Sequence, residues 1–159
     1  MRGHSLRRYS SLFWYVTLFI FVFMVDRVTK FFVLTQQYAN YKINSFLSFD
    51  LMFNRGVSWG IFDSQNSVVF AMVSLFIFLI TIGLIVFAIR RYKNGKIIVG
   101  ETLAIAGSAS NIVDRIFYGG VVDFIVLSFG KISWPIFNIA DVAIVLGILI
   151  LCFYMWFES

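Results

Sequence analysis

The sequence predicts an all-α membrane protein of four transmembrane helices with a small β-strand-containing extracytoplasmic insert, and three observations carry that prediction. Its residues are 60% hydrophobic, 19% aromatic and only 13% charged, with a mean hydropathy of +0.89. Soluble domains run at roughly 45 to 50% apolar and 25% charged. Four windows come close to the ~20 apolar residues that cross a bilayer's hydrocarbon layer. Between the first two windows, Ile43, Ser45, Leu47, Phe49, Leu51 and Phe53 alternate imperfectly with Asn44, Phe46, Ser48, Asp50, Met52 and Asn54, the period of short strands.

The first span is expected over Ser11 to Leu34. The preceding MRGHSLRRY has the basic start of a secretory signal, but Asp26, Arg27 and Lys30 occupy the region where cleavage would need small residues, so the span is read as retained. The insert covers about 36–66, and its aromatic load suits the headgroup region. The second span runs from Ser67 to Ile89 and the third from Ile97 to Ile116. The third contains Glu101 and a run of Gly, Ala and Ser that weakens its hydropathy but suits close helix packing in lipid. The fourth covers Ile136 to Phe157, opened by Trp134 and Pro135, since proline fits a first helical turn. No linker-like shift or internal repeat divides residues 1–159, and one domain is expected.

Basic residues set the orientation. Arg2, Arg7 and Arg8 precede the first span, and Arg90, Arg91, Lys93 and Lys96 fill the short link after the second. Lys42, Arg55 and Lys131 occupy the other two connections. The positive-inside rule therefore places both termini in the cytoplasm and both longer loops outside. Counting Arg27, Lys30 and Arg115 as outer narrows the margin to seven against six, unless partners within the bundle hold those three. The +5 charge lies in clusters beside apolar spans, which marks membrane orientation and speaks against a nucleic-acid partner.

Several chemistries are poorly supplied. His4 is the sole histidine and sits in the basic tail, which leaves no His-dependent triad or His-rich metal site at the outer face. A serine/Lys30 dyad is formally possible. Cys152 is the only cysteine, so no intramolecular disulfide can form. No phosphate-cradling glycine loop is present, and neither a metal nor a cofactor is expected.

The acidic residues are more informative. A charge at the bilayer centre costs about 3 kcal/mol on insertion scales, so a carboxylate at the edge of a span is a functional-site hypothesis. Asp26, Asn54, Asp114, Asp123 and Asp141 all fall at the outer level of the expected topology. Asp26 and Lys30 are four apart and can pair on one helix face, either as a span-end ion pair or as support for a site. Asn111, Asp114 and Arg115 share a face of the third span. Arg115, with five donors and no acceptor, could bridge Asp114 or Asp26, hold a peptide carbonyl, or bind a lipid headgroup. Asn138 and Asp141 share a face of the fourth span, where the asparagine could orient the carboxylate, bond an extended peptide or link two helices. Asp123 follows Gly119 and Gly120 amid apolar residues and is read as a loop residue; alone it could be no more than a turn aspartate.

Together Asp123 and Asp141 suggest an acid pair. At a separation of roughly 4 Å and an effective dielectric near 20, two carboxylates repel by about 4 kcal/mol, or about 3 pKa units. One would then hold a proton while its partner stays ionised, the state in which an aspartic peptidase activates water.

The ordered set DRVTK, FNRGVSWGIF, AGSASNIVDR, GGVVDF and FNIAD resembles the lipoprotein signal peptidases, or signal peptidase II, and the likeness covers nearly the whole chain. It implies a membrane aspartyl endopeptidase that cuts diacylglyceryl-modified prolipoproteins before the lipidated cysteine. It further implies a monomer in the bacterial inner membrane, in contact with membrane lipids and working at the extracytoplasmic face. Asp123 and Asp141 match the family's catalytic pair. Asn54, Asn111, Arg115 and Asn138 would hold substrate or shape the site, with Asp26, Lys30, Asp114 and Gly56 supporting it. The segment from Ile43 to Phe62 would be the substrate-cradling insert. Ser110 stands where the family usually has glycine, so helix packing is expected to differ there. A rival from another class is a small ion-coupled transporter or channel subunit that uses Asp26, Glu101 and Asp141. An intramembrane GxGD-type protease would need a motif this sequence lacks.

Overall fold

The computed structural model describes residues 2–36, 41–56, 66–130 and 132–158, with the side chains of 2–10 outside that description. Parts of the expected insert, residues 37–40 and 57–65, together with Lys131 and the side chain of His4, therefore lie outside the described residues. Among the described residues, four helices, α1 (Arg2–Gln36), α2 (Ser67–Lys93), α3 (Val99–Tyr118) and α4 (Ile139–Glu158), accompany four strands, β1 (Tyr41–Lys42), β2 (Leu47–Asn54), β3 (Val121–Phe129) and β4 (Ile132–Ser133). By length and composition, α2 and α4 can each cross a membrane. The other two helices carry the charges that the bundle buries.

Local chemistry sets the helix ends. Asn66 caps α2, its Oδ1 accepting from Val68 N at 2.8 Å, and Arg90, Arg91 and Lys93 fill the last turn, where cations complement the exposed carbonyls. α3 ends at Gly119, whose φ of 67° supplies the left-handed residue that stops the helix. The fourth helix differs from expectation, because Trp134 and Pro135 do not open it. The chain from Trp134 stays extended so that Phe137 can pair with Ile125, its N–H reaching Ile125 O at 3.1 Å and its carbonyl accepting from Ile125 N at 2.8 Å. Asn138 then starts the helix through a reciprocal capping box. Its Oδ1 accepts from Asp141 N at 2.8 Å, and Asp141 Oδ2 accepts from Asn138 N at 3.3 Å.

α3 packs against each of the other helices, most extensively against α4. That seam depends on residues without a Cβ. One added at Gly147 would lie 2.5 Å from Gly100 O and 2.6 Å from Ala104 N, and one added at Gly107 would collide with Ala140 O. The Gly, Ala and Ser run therefore does what its composition implies, bringing two backbones into contact.

The sheet is antiparallel in the order β1-β2-β3-β4. Strands in the first loop match the alternation in the sequence, but β3 is a difference, since Asp123 sits within a strand instead of at a loop end. The run VVDFIVLSF is rich in β-branched and aromatic residues, and β2 supplies a partner for it. Pairing shifts from Phe49 opposite Ile125 to Met52 opposite Asp123, one extra residue on β2. This bulge re-aims the end of β2 so that Asn54 and Asp123 share a face.

The interior is inverted relative to a soluble domain. Among the described residues, seven of the eight largest fully buried side chains are polar, while residues such as Phe13, Phe21, Phe76 and Trp156 are exposed. Exposed rings and aliphatics favour a hydrocarbon surround, and the polar groups have to satisfy one another within the bundle. Cys152 is exposed on the outside of α4.

Candidate functional site

One buried network joins α1 to α3 and α4. Lys30 Nζ, fully buried, lies 2.7 Å from Asp26 Oδ2, 2.6 Å from Asp114 Oδ2 and 2.8 Å from Asn111 Oδ1. Three donors thus meet three acceptors. Asp26 also accepts from Ala140 N at 2.8 Å, and Asp114 Oδ2 from Val122 N at 3.2 Å. Arg27 bonds Asp114 Oδ1. Two carboxylates and two cations balance, which is what makes such groups tolerable at depth. Ser110 is part of this network, its hydroxyl donating to Asp26 Oδ2 at 2.6 Å, a bond between α1 and α3 that a glycine could not make.

Beside the network lies a cavity of about 160 Å³, whose lining includes Asn54, Asn111, Arg115, Asp123 and Asp141. By that measure one water needs only about 10 to 15 Å³. Asp123 comes from β3 and Asp141 from the first turn of α4, and Asn138 contacts both. Asn138 Nδ2 donates to Asp123 Oδ1 at 2.6 Å while its Oδ1 caps Asp141. Asn54 Nδ2 donates to Asp123 Oδ2 at 3.0 Å, and Asn111 Nδ2 to Asp141 Oδ1 at 2.9 Å. Each carboxylate oxygen thus has one N–H donor.

Burial raises Asp123 from the ordinary 3.8 to about 7, helped by the negative charge of Asp141 and opposed by Asn54, Lys30 and Asn138. Its neighbours along the strand, Val121, Val122 and Phe124, are all buried.

Arg115 takes one of the courses its donors allow. It bridges neither Asp114 nor Asp26, and instead holds the carbonyls of Arg55, at 3.4 Å, and Gly56. Gly56 N in turn donates to Asn54 Oδ1 at 2.9 Å. The end of β2 is thereby tied to α3 and to Asp123. The Arg115 guanidinium also lies 5.8 Å from the Phe70 ring of α2, a cation–π contact.

Five of the six expected catalytic and substrate-binding positions therefore line one cavity, and the sixth, Asn138, is bonded to both acids. Asp26, Lys30 and Asp114 form the adjoining network, and Gly56 is bonded to Arg115 and Asn54. Sequence reasoning allowed Arg27 a partner within the bundle without naming it, and named neither Ser108 nor Ile77 for the cavity wall. Arg27 could have been found from its setting, since an arginine beside Asp26 near the end of a span needs an acid, and Asp114 was available. Ser108 and Ile77 carry no comparable signal. Glu101 is elsewhere, buried in the first turn of α3 and bonded to Arg91 Nε at 2.6 Å.

Comparison with known proteins agrees with this architecture. Residues 18–157 match the family described as Signal peptidase (SPase) II. The chain is 34% identical to the lipoprotein signal peptidase of Clostridium novyi over 91% of its own length and 98% of that protein's. It is 29% identical to that of Listeria welshimeri, over 92% and 95%. Two solved bacterial membrane enzymes, determined by the in meso method at 2.3 and 1.9 Å, superpose with TM-scores of 0.74 and 0.71 at 26% and 27% identity. They cover 91% of this chain in both cases, and 88% and 94% of their own.

Proposed function

Because the chain belongs to the signal peptidase II family, a family of peptidases, we propose that it is a membrane aspartyl endopeptidase. It removes the signal peptide from diacylglyceryl-modified prolipoproteins, cutting on the N-terminal side of the lipidated cysteine. The observation that carries this reading is that Asp123 and Asp141 line one cavity and are bridged by the side chain of Asn138.

In the reaction, the ionised carboxylate takes a proton from a water molecule as its oxygen attacks the scissile carbonyl. The protonated partner bonds the developing oxyanion. The tetrahedral intermediate collapses with transfer of a proton to the leaving amine, and the peptide C–N bond breaks. Water is consumed and no other reactant is needed. Burial favours the singly charged pair near neutral pH, because a second charge in this cavity is opposed by desolvation and by the first.

Asn54, Asn111, Arg115 and Asn138 would hold substrate or shape the site, with Asp26, Lys30, Asp114 and Gly56 supporting it. All four helices span the bacterial inner membrane as one domain with both termini cytoplasmic, and the site opens at the extracytoplasmic face. The inverted burial and the basic link between α2 and α3 support that placement. Asp123→Asn and Asp141→Asn should each abolish cleavage of a lipidated preprotein while leaving the protein folded and inserted; full turnover by either variant would remove the dyad from the mechanism.

A further inference from the structure

We propose that Lys30 is a positioning residue of the site, acting through Asn111 to fix the Asp141 carboxylate and to keep the pair's single negative charge there. This rests on the dyad reading above, and it divides the roles between two acids that reading treats alike: Asp141 as general base, Asp123 as the holder of the proton.

The asymmetry lies in what backs each amide. Lys30 Nζ donates to Asn111 Oδ1 at 2.8 Å, and an ammonium has only donors, so the amide cannot turn its NH₂ toward it. The Nδ2 of Asn111 must point the other way, where it donates to Asp141 Oδ1 at 2.9 Å. A donor contact of this kind favours the carboxylate over the acid, and polarisation by a buried cation strengthens it. Asp141 also sits in the first turn of α4 and accepts the N–H of Asn138 at 3.3 Å, where the helix end favours an anion.

Asp123 has amide donors too, but neither has its own oxygen on a cation; Asn138 meets the Lys30-bound Asn111 Oδ1 only through its Nδ2, at 3.2 Å. Asn54 Oδ1 accepts from Gly56 N at 2.9 Å and Asn138 Oδ1 from Asp141 N at 2.8 Å. Asp123 lies on a strand between buried apolar neighbours and has no helix end to favour its anion. The other charged groups facing the pair do not reverse this order. Asp26 and Asp114 are matched by Lys30 and Arg27, and Arg115 turns its guanidinium to the carbonyls of Arg55 and Gly56. The two carboxylates and two cations are neutral without Asn111, so the third bond of Lys30 is not needed for charge balance.

The test is the pH dependence of kcat for the full-length protein in detergent with a lipidated peptide substrate. Asn111→Leu cuts the link in the middle. Lys30→Met combined with Asp26→Asn removes the ammonium while keeping the network neutral. In Asn111→Leu the acid limb of the profile should move up by about one pH unit. In the double variant it should move the same way but less, because losing the Asp26 charge offsets part of losing the ammonium, and that variant should melt close to the parent. Infrared titration of the protonated carboxyl band reads the same movement without turnover. An acid limb and carboxyl titration that stay in place in a folded variant overturn the proposal, and Asn111→Leu decides alone if the double variant does not fold. Failure of the dyad itself is distinguishable, since it would show as turnover by Asp123→Asn or Asp141→Asn.

Discussion

Asn138 Nδ2 donates to Asp123 Oδ1 across 2.6 Å, and that bond holds a strand residue against the start of a helix. The same side chain caps α4 through its oxygen, so its two duties can be separated. Asn138→Ala loses both, which should cost about 1 kcal/mol of stability through the cap. Loss of a donor to a carboxylate, worth about 1.5 to 3 kcal/mol, should lower kcat about 10- to 100-fold. Asn138→Ser keeps a capping oxygen but cannot reproduce the amide donor. It should melt near the parent and still be slow, and recovery of both properties by serine would show that the contact with Asp123 does not matter to turnover.

The raised proton affinity of Asp123 ties stability to pH with a definite sign. Its folded value, about 7 against an ordinary 3.8, means that its contribution is fully present below about 3.8 and is lost as pH rises through 7. Each pKa unit is about 1.4 kcal/mol, which bounds the effect near 4 kcal/mol. Asp123→Asn, though inactive, should therefore gain melting temperature relative to the parent on going from pH 5 to pH 8. Melting curves in detergent at the two pH values check this. A constant difference between the two proteins would mean that Asp123 does not titrate in this range. Activity of the parent should decline on the alkaline side of about pH 7 as the shared proton leaves.

Helix packing should reach the site through Gly107. A Cβ there meets the carbonyl of Ala140, the residue before Asp141, and a backbone atom cannot move aside as a side chain can. Gly107→Ala should cost about 1 to 3 kcal/mol by overpacking and reduce turnover by displacing the first turn of α4. Gly147→Ala meets Gly100 O at 2.5 Å and should destabilise by a similar amount. It lies six residues beyond Asp141, about 9 Å along the helix, and should spare turnover more. Equal losses of turnover in the two variants would contradict this view of the seam.

What could be read from the sequence follows from how local each cause is. Apolar windows reveal the helices because hydropathy is a property of the segment itself, and a face shared by Asn111, Asp114 and Arg115 follows from helical spacing. The strand holding Asp123 was hidden because its pairing partner is β2, some seventy residues earlier, and the glycine pair before it reads as a turn. Pro135 suggested a helix start that the bridge between Phe137 and Ile125 forbids. Arg115 had several chemically reasonable partners, and only the path of the chain at Arg55 and Gly56 selected among them. Glu101 looked like a second intramembrane acid because Arg91, its partner, lies beyond the turn between two spans.

That partner gives the last prediction. An ion pathway built from Asp26, Glu101 and Asp141 needs Glu101 to be available to a proton or cation. Arg91 Nε bonds its Oε1 at 2.6 Å, and the same guanidinium reaches Glu158 at 2.8 Å, so the group closes the end of α2 against α3 and α4. Glu101 is ten residues from Asn111 on α3, about 15 Å along the helix axis, too far to act on the dyad through direct contact. Glu101→Gln can still accept a bond from Arg91 but loses the charge of a buried pair, so melting temperature should fall while kcat/KM stays within about twofold, in keeping with additivity at distant sites. Arg91→Met leaves the buried carboxylate without its cation and should destabilise more, by about 3 to 5 kcal/mol. A large loss of peptidase activity in Glu101→Gln at unchanged stability would mean that this end of the bundle takes part in function, and the structural role assigned to the Arg91 cluster would then be wrong.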